Sequence, residues 1–180
     1  MSRLLEKFDL STKELRKTKT IVGCGLLAAV HILLDMYASF YIIPGTLKVS
    51  LSFVAYGICG FLYGPITAGI YGIILDLLSF LAKPDGIFFI GYTFSAFMTG
   101  FLFGCVLYKE KVTLARTIFS KLLVSLIINI FLTPLWMYMM GWGALSTILS
   151  GSRLIKNIVL LPLEGGLLYT LLKSMKRIAK

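Results

Sequence analysis

Residues 88–108 read FFIGYTFSAFMTGFLFGCVLY, a run of 21 residues without a charged side chain. A helix rises about 1.5 Å per residue, so a run of this length covers the roughly 30 Å hydrocarbon core of a bilayer. The run therefore predicts a helix that spans a membrane.

The rest of the chain has the same character. Of its 180 residues, 58% are hydrophobic and 14% are charged, and the mean hydropathy is +0.90. Soluble domains carry about 25% charged residues. The composition excludes a disordered chain, a disulfide-rich scaffold and a soluble globular enzyme, and it indicates a multi-pass membrane protein.

Apolar runs of similar length recur along the chain and are joined by short connections with turn residues, such as Pro44-Gly45 and Gly64-Pro65. We therefore predict an all-α integral membrane protein, built as a single bundle of six transmembrane helices. The predicted spans are 20–41, 48–63, 65–82, 88–108, 117–140 and 153–173. The predicted domains are a basic amphipathic N-terminus (1–19), the membrane domain (20–175) and a basic tail (176–180).

The distribution of positive charge predicts the orientation. With six spans, 14 of the 18 Lys and Arg residues fall on the side that holds both termini. Because positive residues favour the cytoplasmic side, we expect both termini to be cytoplasmic. Residues 1–19 are then expected on the surface of the inner leaflet, with a frayed basic tail as the alternative.

Four cations, Lys48, Lys83, Arg153 and Lys156, fall on the opposite, outer side. Arg153, Lys156 and Asn157 are spaced to share one helical face, and they lie in the predicted first turn of the sixth helix. Unpaired N–H groups and the helix dipole favour an anion there. The four cations predict a site for a carboxylate or phosphate, although contact with lipid headgroups explains any one of them alone.

Ionisable groups at membrane depth usually mark function. Asp76 in the third span either pairs with a neighbouring helix or contacts a ligand, and a carboxylate matches two adjacent N–H donors such as an aminopyrimidine edge. Asp35 and His31 lie one turn apart in the first span, and a ligand role for His31 is the less favoured of its interpretations. Glu164, about 16 Å along the helix from Arg153, is expected to bond another helix instead of a ligand.

Aromatic residues cluster towards the predicted outer ends of the helices. Tyr37, Phe89 and Tyr92 are among them. Most such residues belong to the interfacial belt of a membrane protein, but their coincidence with the outer cations also suits stacking on a flat heteroaromatic ligand.

Small residues recur at four-residue spacing, which allows close helix packing within the chain or with another protein. The pairs and triplet are Cys24/Ala28 and Gly25/Ala29 in the first span, Ala68/Gly72 in the third, and Ala96/Gly100/Gly104 in the fourth.

The sequence lacks the motifs that mark several kinds of enzymatic chemistry. The sequence contains no Walker A motif, no HExxH, no acidic pair at metal-binding spacing and no nucleophile with a nearby base. The three cysteines lie in apolar runs and are interpreted as small buried hydrophobes. We expect no enzymatic activity, no metal, no cofactor and no nucleic-acid partner.

The run from Gly69 to Gly86, GIYGIILDLLSFLAKPDG, continues as IFFIGYTFSA to Ala96. It resembles the third-to-fourth-helix segment of S components, the substrate-binding subunits of energy-coupling factor (ECF) vitamin transporters. The stretch SRLIKN, residues 152–157, is similar to the folate-specific branch of that family.

The resemblance implies six helices in a prokaryotic cell membrane, with the vitamin near the extracellular face under loops at about 41–48, 83–90 and 141–152. It also implies assembly with a membrane coupling subunit (the T component) and two cytoplasmic ATPases, whose ATP use topples the S component in the membrane. The A-x-x-x-A element that contacts the coupling subunit in many members corresponds by size to Gly25-x-x-x-Ala29 or Cys24-x-x-x-Ala28.

For folate, the resemblance and the residues together give a hypothesis for the site. Arg153, Lys156 and Asn157 bind one polar end with help from Lys48 or Lys83. Tyr37, Phe89 and Tyr92 pack the rings, and Asp35 or Asp76 takes the N–H pair of the pterin. The alternatives are another vitamin (pantothenate, riboflavin or a queuosine precursor), a small lipid-modifying membrane enzyme, or a purely structural subunit.

Overall fold

The computed structural model describes the backbone of residues 2–37, 39–43, 47–82, 88–141 and 151–178, and the side chains of 5–37, 51–82, 88–141 and 160–176. The chain forms two compact units, Met1–Glu110 (unit 1) and Lys111–Lys180 (unit 2). Unit 1 contains α1 (Ser2–Leu15), α2 (Thr18–Tyr37), β1 (Ser39–Ile43), β2 (Leu47–Ser50), α3 (Phe53–Tyr63), α4 (Pro65–Ala82) and α5 (Ile90–Leu107). Unit 2 contains α6 (Leu114–Val124), a π-helical segment (Ser125–Leu132), α7 (Thr133–Met139) and α8 (Gly151–Ile178).

The fold is helical apart from the β1–β2 hairpin, and in the described part of the chain four helices are long and apolar enough to cross a membrane. They are Thr18–Tyr37, Pro65–Ala82, Ile90–Leu107 and the continuous Leu114–Met139. These agree with four of the predicted spans, although the first helix ends at Tyr37 and not at residue 41.

The predicted span 48–63 is wrong in its first part. Residues 47–50 form a strand that pairs antiparallel with 39–43, and the helix that follows runs only from Phe53 to Tyr63. Its 11 residues rise about 16 Å, roughly half the hydrocarbon thickness.

The core of unit 1 is the close contact of α4 with α5. A Cβ added to Gly72 would overlap the carbonyl group of Ala96, and one added to Gly100 would overlap the carbonyl group of Ala68. Only glycine lets the two backbones approach this closely. The small-residue stripes of these two helices therefore serve packing within the chain.

Ser11 fastens α1 to the turn between α3 and α4. Its buried hydroxyl donates to the Tyr63 carbonyl oxygen (2.8 Å) and accepts from the Thr67 backbone N–H (3.1 Å). The Thr67 hydroxyl donates to the Ser11 carbonyl oxygen (2.8 Å). Because α4 begins directly after Gly64, which has no side chain, Ser11 performs the N-cap role for α4 from another helix.

Contacts with the end of α5 complete the docking of α1. Lys7 forms an ion pair with Glu110 (3.0 Å), and Phe8 stacks on Phe101 with ring centroids 5.7 Å apart. Residues 2–15 are thus a docked helix, and the alternative of a frayed tail is wrong.

In unit 2, Lys121 on α6 is buried and forms an ion pair with the largely buried Glu164 on α8 (3.1 Å). The expectation that Glu164 bonds another helix is confirmed. Lys121 is one of the 14 Lys and Arg residues on the side predicted for the termini, and the structure places its side chain inside unit 2. Unpaired, either charge would be costly at this depth, which explains why the two helices carry them together.

Candidate functional site

The candidate site lies at one end of unit 1, which we call the hairpin end. Here α2 and α4 finish, at Tyr37 and Ala82, and α3 and α5 begin, at Phe53 and Ile90. The β1–β2 hairpin joins α2 to α3 at the same end. Five predicted ligand-contacting residues with described side chains belong to this end: Asp35, Tyr37, Asp76, Phe89 and Tyr92.

Asp76 on α4 is bonded to α5. The hydroxyl of Thr93, a buried residue, donates a 2.7 Å hydrogen bond to Asp76 Oδ2. Its partner among the described side chains is thus a neutral hydroxyl and not a cation. A carboxylate accepts at about four lone-pair positions, so Thr93 orients the group and leaves capacity for further N–H donors.

Asp35 is half-buried on α2. Tyr56 on α3 lies within electrostatic range of both carboxylates. Two acids from different helices therefore lie in the same region of unit 1. In a weakly polar environment such a pair attracts a ligand that presents several N–H donors.

His31 is held inside the protein by its neighbours. Its Nδ1 lies 3.0 Å from the carbonyl oxygen of Ser52, and its ring stands edge-on to Tyr56 at 5.3 Å between centroids. Tyr56 in turn stands edge-on to Tyr71 of α4 at 5.7 Å. The structure thus gives His31 a bond within unit 1, in line with the interpretation that did not make it a ligand.

Aromatic side chains gather where α4 ends and α5 begins. Phe89 and Tyr92 contact each other at 6.1 Å between centroids, and Phe80 contacts Phe88 at 5.3 Å. Tyr37, at the end of α2, is 78% exposed and is the least enclosed of the predicted ring contacts. Phe89 and Tyr92 are half-buried, which suits partial covering of a flat ligand.

The predicted cations lie outside the described side chains. Lys48 belongs to β2, where its backbone pairs with Tyr41, and Lys83 lies outside the described residues altogether. Arg153, Lys156 and Asn157 have helical backbone in α8, which begins at Gly151. The first-turn argument for an anion therefore applies to Arg153 and not to Lys156 and Asn157, which fall in the second turn.

The small residues of α2 form a second surface, which we call the α2 groove. It is a depression of about 400 Å³ between α2 and α4, lined by Cys24, Gly25 and Ala28 on one side and by residues such as Ile70 and Ile74 on the other. Its lining is almost wholly apolar, as suits contact with lipid or with another apolar helix.

The two small-residue pairs of α2 differ in their surroundings. Cys24 and Ala28 turn towards the core, with the Cys24 sulfur 3.9 Å from that of Cys59 and Ala28 buried. Gly25 and Ala29 are exposed, and a Cβ added to Gly25 meets no described atom within 4 Å. Packing among the described residues therefore does not explain why residue 25 is small.

Thr93, Tyr56 and Ser52 are the site residues that sequence analysis missed. The small-residue stripes of α4 and α5 predict close packing of the two helices, but more than one register fits them, so they do not single out Thr93. Nothing in the sequence singled out Tyr56 or the Ser52 carbonyl. Among the described residues, no group of three or more His, Cys, Asp or Glu side chains lies close enough to hold a metal ion.

Comparison with known proteins gives two curated relatives of similar length. A folate transporter FolT from Clostridium novyi (strain NT) is 23% identical over 164 residues, which cover 91% of this chain and 94% of the relative. A folate transporter FolT from Leuconostoc mesenteroides subsp. mesenteroides is 29% identical over 163 residues, or 87% of this chain and 86% of the relative.

Two solved structures share the architecture. The crystal structure of FolT bound with folic acid superposes with a TM-score of 0.78 at 33% identity, over 86% of this chain and 93% of that one. The S component of a bacterial ECF transporter superposes with a TM-score of 0.63 at 19% identity, over 92% and 99%, which shows the fold alone.

The family model described as "ECF transporter, substrate-specific component" matches residues 19–172, nearly the whole chain. This family consists of membrane transport subunits, which agrees with the expectation that the chain is not an enzyme. The chain belongs to the substrate-specific components of ECF transporters.

Proposed function

We propose that this protein binds folate with high affinity and serves as the substrate-specific subunit of an ECF transporter that takes folate into the cell. The observation that carries the proposal is the likeness to the crystal structure with bound folic acid, at 33% identity and over most of both chains. The two curated relatives, both folate transporters, support the same ligand.

The hairpin end is the proposed binding site. Asp76, oriented by Thr93, and Asp35 suit the amino and ring N–H groups of a pterin, since ionised carboxylates only accept hydrogen bonds. Phe89 and Tyr92 offer half-buried rings against which the pterin and the aromatic linker pack, with Tyr37 at the exposed margin.

The two carboxylates of the glutamate tail need cations. We assign them to Arg153 and Lys156, together with Asn157, and give Lys48 or Lys83 an assisting role. Charge-assisted hydrogen bonds to carboxylates are roughly twice as strong as neutral ones, and arginine forms them in pairs. Four cations on the predicted outer side are more than a neutral flavin ring requires, which favours a dianionic ligand.

A first experiment tests the ligand itself. Protein purified in detergent from cells grown in rich medium is denatured, and the released molecule is identified by its absorbance and mass spectra. We expect a pterin-glutamate at about one molecule per chain. Release of a different vitamin, or an empty protein that binds no added folic acid, would refute the proposal.

A second experiment tests the site by calorimetric titration with folic acid. Asp76→Asn removes one charge at nearly constant shape and should weaken binding by roughly 10-fold to 150-fold, as expected for bonds to a charged group. Asp9→Asn is the matched control, because Asp9 is exposed on α1 and pairs with Lys13 (2.6 Å). Equal affinities for the two variants would remove Asp76 from the site.

The anionic end is tested in the same way. Arg153→Ala should cost roughly 3–5 kcal/mol of binding free energy if it leaves a ligand carboxylate buried without its partner. Lys176→Ala, an exposed cation in the same helix, is the control and should bind as the wild type does. An unchanged dissociation constant for Arg153→Ala would overturn the assignment of α8 to the site.

For the topology, we propose six spans with both termini cytoplasmic. The hairpin end then lies at the extracellular side of the membrane. The short apolar helix α3 and the 28-residue helix α8 join the four membrane-length helices in this count. Cation placement supports the orientation. Tags at both termini should resist protease in intact cells and be cleaved in inverted vesicles, and cleavage of either tag in intact cells would refute it.

For the partners, we propose a membrane coupling subunit, two cytoplasmic ATPases that drive toppling, and the outer face of α2 as the contact with the coupling subunit. Gly25 and Ala29 are the supporting observation, because they are small and exposed on an apolar helix face. A partner helix can approach such a face closely, which is how membrane helices associate.

A further inference from the structure

We propose that His31 is a positioning residue, which fixes the β1–β2 hairpin at the hairpin end through its bond to the Ser52 carbonyl oxygen. The role of the hairpin in ligand binding rests on the proposed function, whereas the bond itself is seen in unit 1. His31 has no direct contact with the ligand in this account, and it acts through the chain segment that it holds.

The bond between His31 and Ser52 has a defined direction. A carbonyl oxygen can only accept, so the 3.0 Å contact requires that Nδ1 carries the hydrogen. The same carbonyl also accepts from the Ala55 backbone N–H at 3.1 Å, so both of its lone pairs are used. His31 is 8% exposed, which limits the competition of water for this bond.

The bond joins His31 and Ser52, which lie on either side of the hairpin in the sequence. Strand pairing begins with Ser39 opposite Ser50, and Ser52 lies two residues further on, just before α3. His31 lies six residues before the end of α2. Strand pairing and the bond from His31 to Ser52 are therefore two described ties across this segment.

A hairpin of two strands has little stability of its own in water, so its position depends on what anchors it. The strands here are only five and four residues long. An anchor at Ser52 fixes the base of β2 relative to α2 and thus limits how far the two strands can move.

The ring of His31 connects this anchor to the candidate site. It packs edge-on against Tyr56, which packs against Tyr71 and lies within electrostatic range of Asp35 and Asp76. A shift of His31 therefore disturbs both the Ser52 end of the hairpin segment and the packing of Tyr56.

The test uses two substitutions of nearly the same shape that differ in one donor. Asparagine places an amide N–H the same number of bonds from the backbone as Nδ1, whereas leucine has no donor. His31→Leu should show roughly threefold to tenfold faster amide hydrogen exchange in residues 39–52 than His31→Asn, which corresponds to the loss of one neutral hydrogen bond. Exchange in α4 and α5 should stay the same in both.

Folate dissociation, followed by stopped flow, gives the second reading. We expect a rate increase of the same size for His31→Leu over His31→Asn, with equal association rates. His31→Phe keeps the ring and removes the donor, so it should behave as the leucine variant does even if loss of the ring disturbs packing in the other two.

Three outcomes would overturn the inference. Equal exchange of residues 39–52 in the three variants would show that the bond does not position the hairpin. Faster exchange throughout unit 1 would show that His31 serves general stability. Faster hairpin exchange with an unchanged rate of folate dissociation would separate the hairpin from the site. Because exchange needs no ligand, it tests the anchor even if the protein binds no folate.

Discussion

Gly25 on the outer face of α2 and Gly72 in the α4–α5 contact are small for different reasons. Gly72 is required by packing within the chain, whereas we expect Gly25 to leave room for a partner. A glycine inside a helix is about 0.5–1 kcal/mol less favourable than alanine. A Cβ at position 25 meets no described atom within 4 Å, so Gly25→Ala should stabilise the isolated protein by up to that amount. The same change at Gly72 pushes a methyl group into the Ala96 carbonyl and should destabilise by about 1–3 kcal/mol.

The two alanine variants therefore predict opposite shifts in thermal unfolding. The two effects together amount to about 1–4 kcal/mol. At roughly 2–4 °C per kcal/mol for a chain of this size, their melting temperatures in detergent should differ by roughly 2–16 °C, with Gly25→Ala the higher. Equal melting temperatures would mean that Gly25 is needed for packing within the chain, and the reasoning about the α2 face would fail.

Gly25→Leu then tests the partner. A leucine on this face keeps an apolar partner helix away from α2, and overpacking of about 1–3 kcal/mol lowers the assembly constant by roughly 5-fold to 150-fold. The assay is co-expression with the coupling subunit and ATPases, purification through an ATPase tag, and quantification of this chain in the eluate. The isolated variant should bind folic acid as the wild type does.

Either of two results would refute the assignment of the α2 face. Recovery of Gly25→Leu at the wild-type level would place the coupling contact elsewhere. Loss of folic acid binding by the isolated variant would show that residue 25 acts on the site and not on assembly. Ala29→Leu, one turn further along the same exposed face, should repeat the effect of Gly25→Leu.

Three further predictions follow from contacts in the two units. Ser11→Ala removes the hydroxyl by which α1 caps α4, and it should lower the free energy of unfolding by about 1–3 kcal/mol in thermal melts. Thr12 is exposed and its hydroxyl bonds within α1, so the control Thr12→Ala should change the free energy of unfolding by less than about 0.5 kcal/mol. Lys121→Met leaves the largely buried Glu164 carboxylate without its partner and should cost about 3–5 kcal/mol. Adding Glu164→Gln should restore much of the loss, and an equally unstable double variant would contradict the role of the pair. Thr93→Val removes the donor that orients the candidate-site carboxylate and should weaken folic acid binding about 10-fold in calorimetry, while an unchanged affinity would show that the bond is structural.

The long helices could be predicted from apolar length alone. α4 fills the predicted 65–82 completely, and α5 lies within the predicted 88–108. The prediction succeeds because a membrane-spanning helix needs about 30 Å of continuous apolar residues, and such a run can be recognised in a single sequence.

The same criterion fails at residues 39–50, because apolar length does not distinguish a strand from a helix. Residues 39–43 read SFYII and 47–50 read LKVS, so aromatic and β-branched residues flank the dipeptide Pro44-Gly45. That combination is a hairpin pattern, and it was available in the sequence. The interruption leaves α3 with 11 helical residues instead of the predicted 16.

The partner of Asp76 follows from the helix register, which the structure shows and the sequence leaves open between two choices. Gly72 faces Ala96 and Gly100 faces Ala68, so each step of four residues up α4 corresponds to a step of four down α5. Continued by one step, this register puts Asp76 opposite Tyr92, beside Thr93. By contrast, the packing of Tyr56 against His31 of α2 and Tyr71 of α4 depends on how three helices meet, which no local pattern in the sequence records.

The two sides of the hairpin end differ in how firmly they are built. α4 and α5 meet backbone to backbone, so Asp76 and Thr93 are held by a contact that tolerates no added methyl group. α2 has three buried residues, Thr20, Ala28 and His31, and exposes most of its apolar surface. On the proposed function, this lightly held helix carries Asp35 and His31 at the site and Gly25 towards the coupling subunit. Because a helix moves as a rigid body, a partner that displaces α2 displaces its site residues as well, whereas those on α4 and α5 stay in place.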